Sequence, residues 1–434
     1  MSTAKSEALL ARRKKAVANG VGVFNTATVQ SASGATIIDT NGNELIDFTG
    51  GIGVINAGHC PQPVVDAIIA QAKKYIHTSF NVVTYEPYVE LCEVLNELFP
   101  HGSATKTMLV NTGAEAVENA IKIAKQSTGR QGVLCYSGAF HGRTMMAMTL
   151  TSRTSYSIGC GPFAPEVYRI DYPNYYKKGN GLSIDDFADQ ELHRLRKYFK
   201  TYVRAEDLAA IIIELVQGEG GFHVAPKKYI EGLREICDEY GIRLIFDEVQ
   251  TGFGRTAAWS AMEHFGVTPD LSTWAKSMGS GLPIGAVIGK EAIMDSAAPG
   301  TIGGTYIGNP VSCAASLATI KYMEEIKLNE KAKHVGKVIY DRFKQLQEKH
   351  NCIGDVRGLG AMIAMEFVKN NDPQQPDHDL CDALVKACAN RDLVIISAGV
   401  HKNVLRTLCP LVIDDATLNK GLDIIEEELN ELMA

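Results

Sequence analysis

Apolar and polar positions follow two rhythms along this chain, and the change between them divides it. Near the N-terminus, positions 35–39 and 44–48 alternate with a period of two around Asn41-Gly42, a dipeptide suited to a tight turn. That pattern predicts a hairpin. Gly50-Gly51-Ile52-Gly53 then interrupts it, either as a connector or where backbone approaches a ligand. Apolar residues next recur every three or four positions over 63–74 and 85–98, which predicts helices. Short β-rich apolar runs follow at 107–110, 133–136, 167–170, 209–215, 244–246 and 284–289, with helical spacing notably at 114–125 and 228–240. Strand, helix, strand repetition predicts an α/β fold with a mostly parallel sheet covered on both faces. The run 171–181, rich in Pro, Gly and Tyr, predicts a surface insertion. From about 311 come two long helical patterns, 311–325 and 329–350, strand candidates at 362–367 and 393–396, and a closing helix over 416–432. These predict a small α+β unit.

Composition narrows the reading without changing it. The 434 residues are 45% hydrophobic and 21% charged, a balance that supports a core without staples. A net charge of -7 argues against nucleic acid as a partner, because phosphate backbones demand clustered Lys and Arg. The one basic run, Arg12-Arg13-Lys14-Lys15, reads as a solvated helical face. Ten cysteines without a Cys-x-x-Cys pair predict free thiols in a reducing cytoplasm and no metal site. No apolar stretch reaches the length of a membrane span, and no signal-peptide core is present, so a soluble cytoplasmic protein without a membrane partner is expected.

Three features carry chemistry. Asn111-Thr112-Gly113-Ala114 follows a predicted strand and opens a predicted helix, where free amides form a cup for a phosphate. The same residues also suit a plain helix cap. Asp247-Glu248 ends an apolar strand, at the edge where ligands bind in open α/β sheets. A helix cap or surface pair is the alternative there. Lys276 ends another β-like run, and a lysine in a low dielectric loses its proton easily enough for Schiff-base chemistry. Taken singly, it is an ordinary solvated lysine. Together, cup, aspartate and lysine are the parts that pyridoxal phosphate requires of a protein.

Beyond these, a set of motifs makes the chain resemble the class III pyridoxal-phosphate aminotransferases of fold type I, and among them the 4-aminobutyrate aminotransferases. It comprises Gly50-Gly51-Ile52, Asn111-Thr112-Gly113, the run from Tyr136 to Thr144, Gln217-Gly218-Glu219-Gly220-Gly221, Asp247-Glu248-Val249-Gln250, Gly254-Arg255-Thr256, Lys276 and the run from Gly303 to Pro310. The similarity runs from about Val21 to the C-terminus. It implies a large cofactor-binding domain over 61–315 and a small α+β domain built from 1–60 and 316–434. It also implies roles. Lys276 would be the Schiff-base lysine and proton shuttle, Asp247 the partner of the pyridine nitrogen, and Gln250 that of the ring hydroxyl. Gly113 and Ala114 would hold the phosphate, Phe140 would stack on the ring, and Thr305 would reach the phosphate from a neighbouring subunit. A homodimer with shared sites, or a tetramer, follows from that last role.

For substrates, the resemblance implies that Arg143 binds the distal carboxylate and Arg406 the α-carboxylate of glutamate. Glu219 would neutralise Arg406 when an ω-amino acid occupies the site, and Ile52 would form an apolar wall. The implied reaction moves the amino group of 4-aminobutyrate to 2-oxoglutarate, giving succinate semialdehyde and glutamate. Rival readings keep the cofactor and change the donor to 5-aminovalerate, ornithine or another ω-amine, or make the chain an amino-acid racemase or epimerase. Arg143, Arg406 and the Gln217–Gly221 motif favour transfer. Leu215, Ala257 and Trp274 depart from the family pattern, which usually has proline, glycine and phenylalanine there.

Overall fold

The computed structural model describes residues 4–102 and 104–434. Its central sheet has seven strands in the order Thr105–Val110, Gly285–Lys290, Leu271–Trp274, Arg243–Asp247, Leu208–Ile213, Gly132–Tyr136 and Val167–Ile170. Adjacent strands are parallel except at Gly285–Lys290, which runs antiparallel to both neighbours. Leu208–Ile213 is buried along its whole length, as a strand covered on both faces must be. The predicted mostly parallel α/β sheet is thus present.

Two smaller sheets join distant parts of the chain. The predicted hairpin forms between Thr36–Ile38 and Glu44–Asp47. Leu393–Val394 then adds to Glu44–Asp47 in parallel, so the N-terminal and C-terminal segments share a sheet. A second four-stranded sheet is antiparallel, in the order Ile353–Leu359, Met362–Phe367, Val404–Thr407 and Ile396–Ala398.

Several expectations need correction. The strand candidate 393–396 is two strands in two different sheets, parted at the fully buried Ile395. An unbroken apolar run reads as one strand whichever sheets its ends join. The run 171–181 is not a simple surface insertion: Tyr172 is buried, and its hydroxyl donates to the carbonyls of Glu214 and Leu215 at 3.0 and 3.1 Å. Helices Ile184–Thr201 and His378–Asn390, with strands Ile353–Leu359 and Val404–Thr407, were not anticipated. Ile184–Thr201 buries only a narrow stripe and is otherwise strongly charged, which weakens the apolar signal. Arg12, Lys14 and Lys15 lie exposed on helix Ala4–Ala16, as their solvated reading requires. Among the described residues, no helix is long and apolar enough to cross a membrane.

Candidate active site

Strand ends converge on a cavity of about 580 Å³. Asp247 closes one strand, while Asn111, Phe140, Glu214 and Lys276 each follow another within a few residues. This is the carboxyl edge at which ligands meet open α/β sheets.

At one wall, helix Gly113–Thr128 begins. Thr112 caps it by accepting from Glu115 N at 3.1 Å, and Glu115 Oε2 reaches back to accept from Asn111 N at 2.8 Å. The amides of Gly113 and Ala114 occupy the first helical turn, where no intrahelical acceptor exists, and both residues line the cavity.

Asp247 is 5% exposed. Its Oδ1 accepts from Thr273 Oγ1 and Val249 N, both at 3.1 Å, and its Oδ2 accepts from His141 Nδ1 at 2.6 Å. The neighbouring Glu248 turns away from the cavity and accepts from the amides of Ala261 and Met262. Burial pushes Glu248 up to about 7 against those hydrogen bonds. Of the adjacent acids, only Asp247 therefore faces the cavity.

Glu214 ties two site loops together. One oxygen accepts from Phe140 N at 2.8 Å and the other from Gly218 N at 2.7 Å, and burial pushes its carboxyl up to about 7. A Cβ at Gly218 would displace the Gln250 amide from its present position. Lys276 sits at φ +49° at the start of a short turn, partly buried. Burial pushes its ammonium down, opposed by the charges of Glu219, Asp247 and Glu214.

A second cavity, of about 440 Å³, shares Phe140, Arg143, Glu219 and Lys276 with the first and adds Ile52 and Arg406. Glu219 Oε1 lies 2.7 Å from Arg406 Nη1. Arg406 is 2% exposed on strand Val404–Thr407 and also donates to Gly218 O at 3.2 Å. The Arg143 guanidinium stands 4.4 Å from the centre of the Tyr156 ring. Ile52 holds a left-handed backbone at φ +68° within the glycine-rich turn.

Ten of the residues singled out in the sequence therefore meet around two adjoining cavities: Gly113, Ala114, Phe140, Arg143, Glu219, Asp247, Gln250 and Lys276 in the larger, with Ile52 and Arg406 in the smaller. Thr305 does not join them within one chain; it is exposed in the loop before helix Pro310–Glu325. Sequence reasoning missed His141, Glu214, Arg153 and Tyr156. Glu214 had a visible signal, since it is a lone acid interrupting the apolar run 208–216.

The sequence pattern of the class-III aminotransferases matches residues 16–429. The chain belongs to that family. It is 47% identical over 428 residues to the 5-aminovalerate aminotransferase of Pseudomonas putida, covering 98% of this chain and 99% of the relative. It is 46% identical over 424 residues to the 4-aminobutyrate aminotransferase of Escherichia coli, covering 98% of each. Among solved structures, an (S)-enantioselective ω-transaminase from Thermomicrobium roseum superimposes with a TM-score of 0.93 at 28% identity over the whole of both chains. The taurine:2-oxoglutarate aminotransferase of Bifidobacterium kashiwanohense, in complex with pyridoxal phosphate and glutamate, gives 0.92 at 26% identity, covering 100% of this chain and 99% of that one. This aminotransferase therefore has the fold type I architecture of a pyridoxal-phosphate-dependent family.

Proposed function

We propose that the enzyme holds pyridoxal phosphate in the larger cavity and transfers the amino group of an ω-amino acid, 4-aminobutyrate foremost, to 2-oxoglutarate. The donor set fits that cofactor. Two helix-start amides await an anion, Gln250 Oε1 is buried without a partner among the described residues, and a buried carboxylate is braced to face a cation. Gly113 and Ala114 would hold the phosphate, Asp247 the protonated ring nitrogen, Gln250 the ring hydroxyl, and Phe140 one ring face. Lys276 would anchor the aldehyde carbon, and Thr305 of the partner subunit would complete the phosphate site in a homodimer.

When bound, the cofactor supplies an electron sink for the carbon that bears the amino group. Lys276, its charged form disfavoured by burial, takes up and delivers the proton at that carbon. Arg143 receives the carboxylate remote from the reacting end, and Ile52 shields the chamber from water.

One observation carries the substrate reading: the 2.7 Å pair of Glu219 with Arg406. It neutralises a buried guanidinium while a donor without an α-carboxylate is bound, and frees it for the α-carboxylate of 2-oxoglutarate or glutamate. The Pseudomonas relative, at 47% identity, supports 5-aminovalerate as the second donor. A panel of 4-aminobutyrate, 5-aminovalerate, ornithine, lysine and β-alanine, each with 2-oxoglutarate, decides. The largest kcat/KM is expected with 4-aminobutyrate. A larger value for another amine reassigns the donor, and conversion of a single L-amino acid to its D-form without a keto acid replaces transfer by racemisation.

A further inference from the structure

Arg153 and Tyr156 wall the smaller cavity and have no part in the reading above. Their segment is fixed beside Phe140. Ser152 N donates to Ala139 O at 2.9 Å, and Tyr156 stands edge-on to Phe140 with ring centres 5.3 Å apart. The Arg153 guanidinium lies 5.5 Å from the centre of the Tyr156 ring, and its Nη1 is 3.8 Å from Glu219 Oε2. Arg406 meanwhile holds the other oxygen of Glu219 at 2.7 Å. One carboxylate is thus bracketed by two arginines, one in hydrogen-bond contact and one just beyond it.

The two substrates make different demands on this arrangement. An ω-amino donor brings one carboxylate, and 2-oxoglutarate brings two. Arg406 is almost fully buried, so it needs an anion at every stage. Once an α-carboxylate pairs with Arg406, Glu219 loses its partner while its side chain is still only 15% exposed. An unpaired carboxylate there is costly. Arg406, Lys276 and Arg153 each favour the charged form of Glu219, and Arg143 lines the same cavity. Arg406 is then occupied, Arg143 holds the distal carboxylate and Lys276 moves the proton at the reacting carbon, which leaves Arg153, its Nη1 already 3.8 Å from Glu219 Oε2.

We infer that Arg153 is a positioning residue that receives Glu219 whenever Arg406 turns to the α-carboxylate of 2-oxoglutarate or glutamate. A side-chain rotation of Glu219 completes the exchange without moving the backbone. The inference rests on the proposed transfer to 2-oxoglutarate, and it makes Arg153 a determinant of the acceptor half-reaction in particular.

Two inert probes separate the cases in the holoenzyme. Glutarate carries two carboxylates like the acceptor, and butyrate carries one like the donor. In Arg153→Met, glutarate should bind about tenfold more weakly, the loss of one charge-assisted hydrogen bond, while butyrate shifts by less than about twofold. Arg153→Lys should recover most of the glutarate affinity. In single turnovers, the rate with 2-oxoglutarate should fall relative to that with 4-aminobutyrate by a similar ratio. Equal weakening of both probes overturns the inference, since Arg153 would then bind the distal carboxylate itself. Unchanged glutarate affinity also overturns it. Wild-type enzyme that binds glutarate but moves no amino group to 2-oxoglutarate sinks the proposed function, and the glutarate comparison then still judges Arg153.

Discussion

Asp247 accepts a 2.6 Å hydrogen bond from Nδ1 of His141, a fully enclosed imidazole whose Nε2 has no partner among the described residues. The imidazole fixes the orientation of the carboxylate from behind, while Thr273 and Val249 hold its other oxygen. His141→Phe removes the donor and leaves that oxygen bare. Cofactor affinity and kcat should both fall, kcat by roughly ten- to hundredfold, the range of one hydrogen bond to a charged group. Titration with pyridoxal phosphate, followed by absorbance, measures the first. A smaller loss in His141→Asn, which keeps an N–H donor, would confirm that the bond matters rather than ring volume.

Under the proposed function, the 2.7 Å pairing of Glu219 with Arg406 selects which carboxylate Arg406 accepts. Burial by itself would raise its pKa, but Arg406, then Lys276 and Arg153, hold it below the usual carboxylate range. It is therefore charged at neutral pH. Glu219→Gln leaves Arg406 uncompensated when an ω-amine binds. The kcat/KM for 4-aminobutyrate relative to glutamate should drop by about tenfold or more, a difference of one ion pair. A ratio unchanged from wild type would remove Glu219 from substrate selection.

Glu248 sets a pH dependence of stability. Its carboxyl is raised by burial to about 7 in the folded chain, from an ordinary value of 4.5. Below 4.5 it is protonated in both folded and unfolded states. As pH rises toward 7, the unfolded chain releases the proton and the folded chain retains it, so stability declines through this window and levels off above it. Relative to wild type, Glu248→Gln should gain up to roughly 3 kcal/mol between pH 4.5 and 8, offset by a constant loss from the altered hydrogen bonds to Ala261 and Met262. Denaturant unfolding of the two proteins at several pH values tests this. A pH-independent difference between them would show that Glu248 titrates normally.

Ala257 occupies a left-handed backbone at φ +62°. A Cβ in that conformation is strained. Ala257→Gly should therefore stabilise the fold by about 0.5–1 kcal/mol, after allowing for the greater freedom of glycine in the unfolded chain. The shift in urea midpoint reads it directly, and a loss of stability would mean that packing of the methyl outweighs the strain.

The other departures have plain structural settings. Trp274 is fully buried, stacked on Phe99 at 3.9 Å and edge-on to Phe253, and its indole N–H donates to Ser272 Oγ at 2.6 Å. Leu215 is buried among apolar neighbours. Neither lines the two cavities.

Periodicity in the sequence was enough to place the strands of the central sheet, the hairpin and most long helices, because spacing reports directly which faces are buried. It also put Asp247 and Lys276 at strand ends, and the Asn111-Thr112-Gly113 motif at a helix start. Motif resemblance then added Arg143, Glu219 and Arg406. Contacts between remote residues were not legible. His141 meets Asp247 across 106 positions, and Arg406 meets the Glu219 turn across 188. Glu248 and Asp247 are neighbours with equal claims in the sequence, yet strand direction aims one at the cavity and the other at a buried turn. Likewise, 393–396 looks like one strand until the two sheets divide it. Local spacing determined which elements form and which residues end them. Only the tertiary structure decided which of those ends face one another, since that depends on strand order, register and loop closure over long separations.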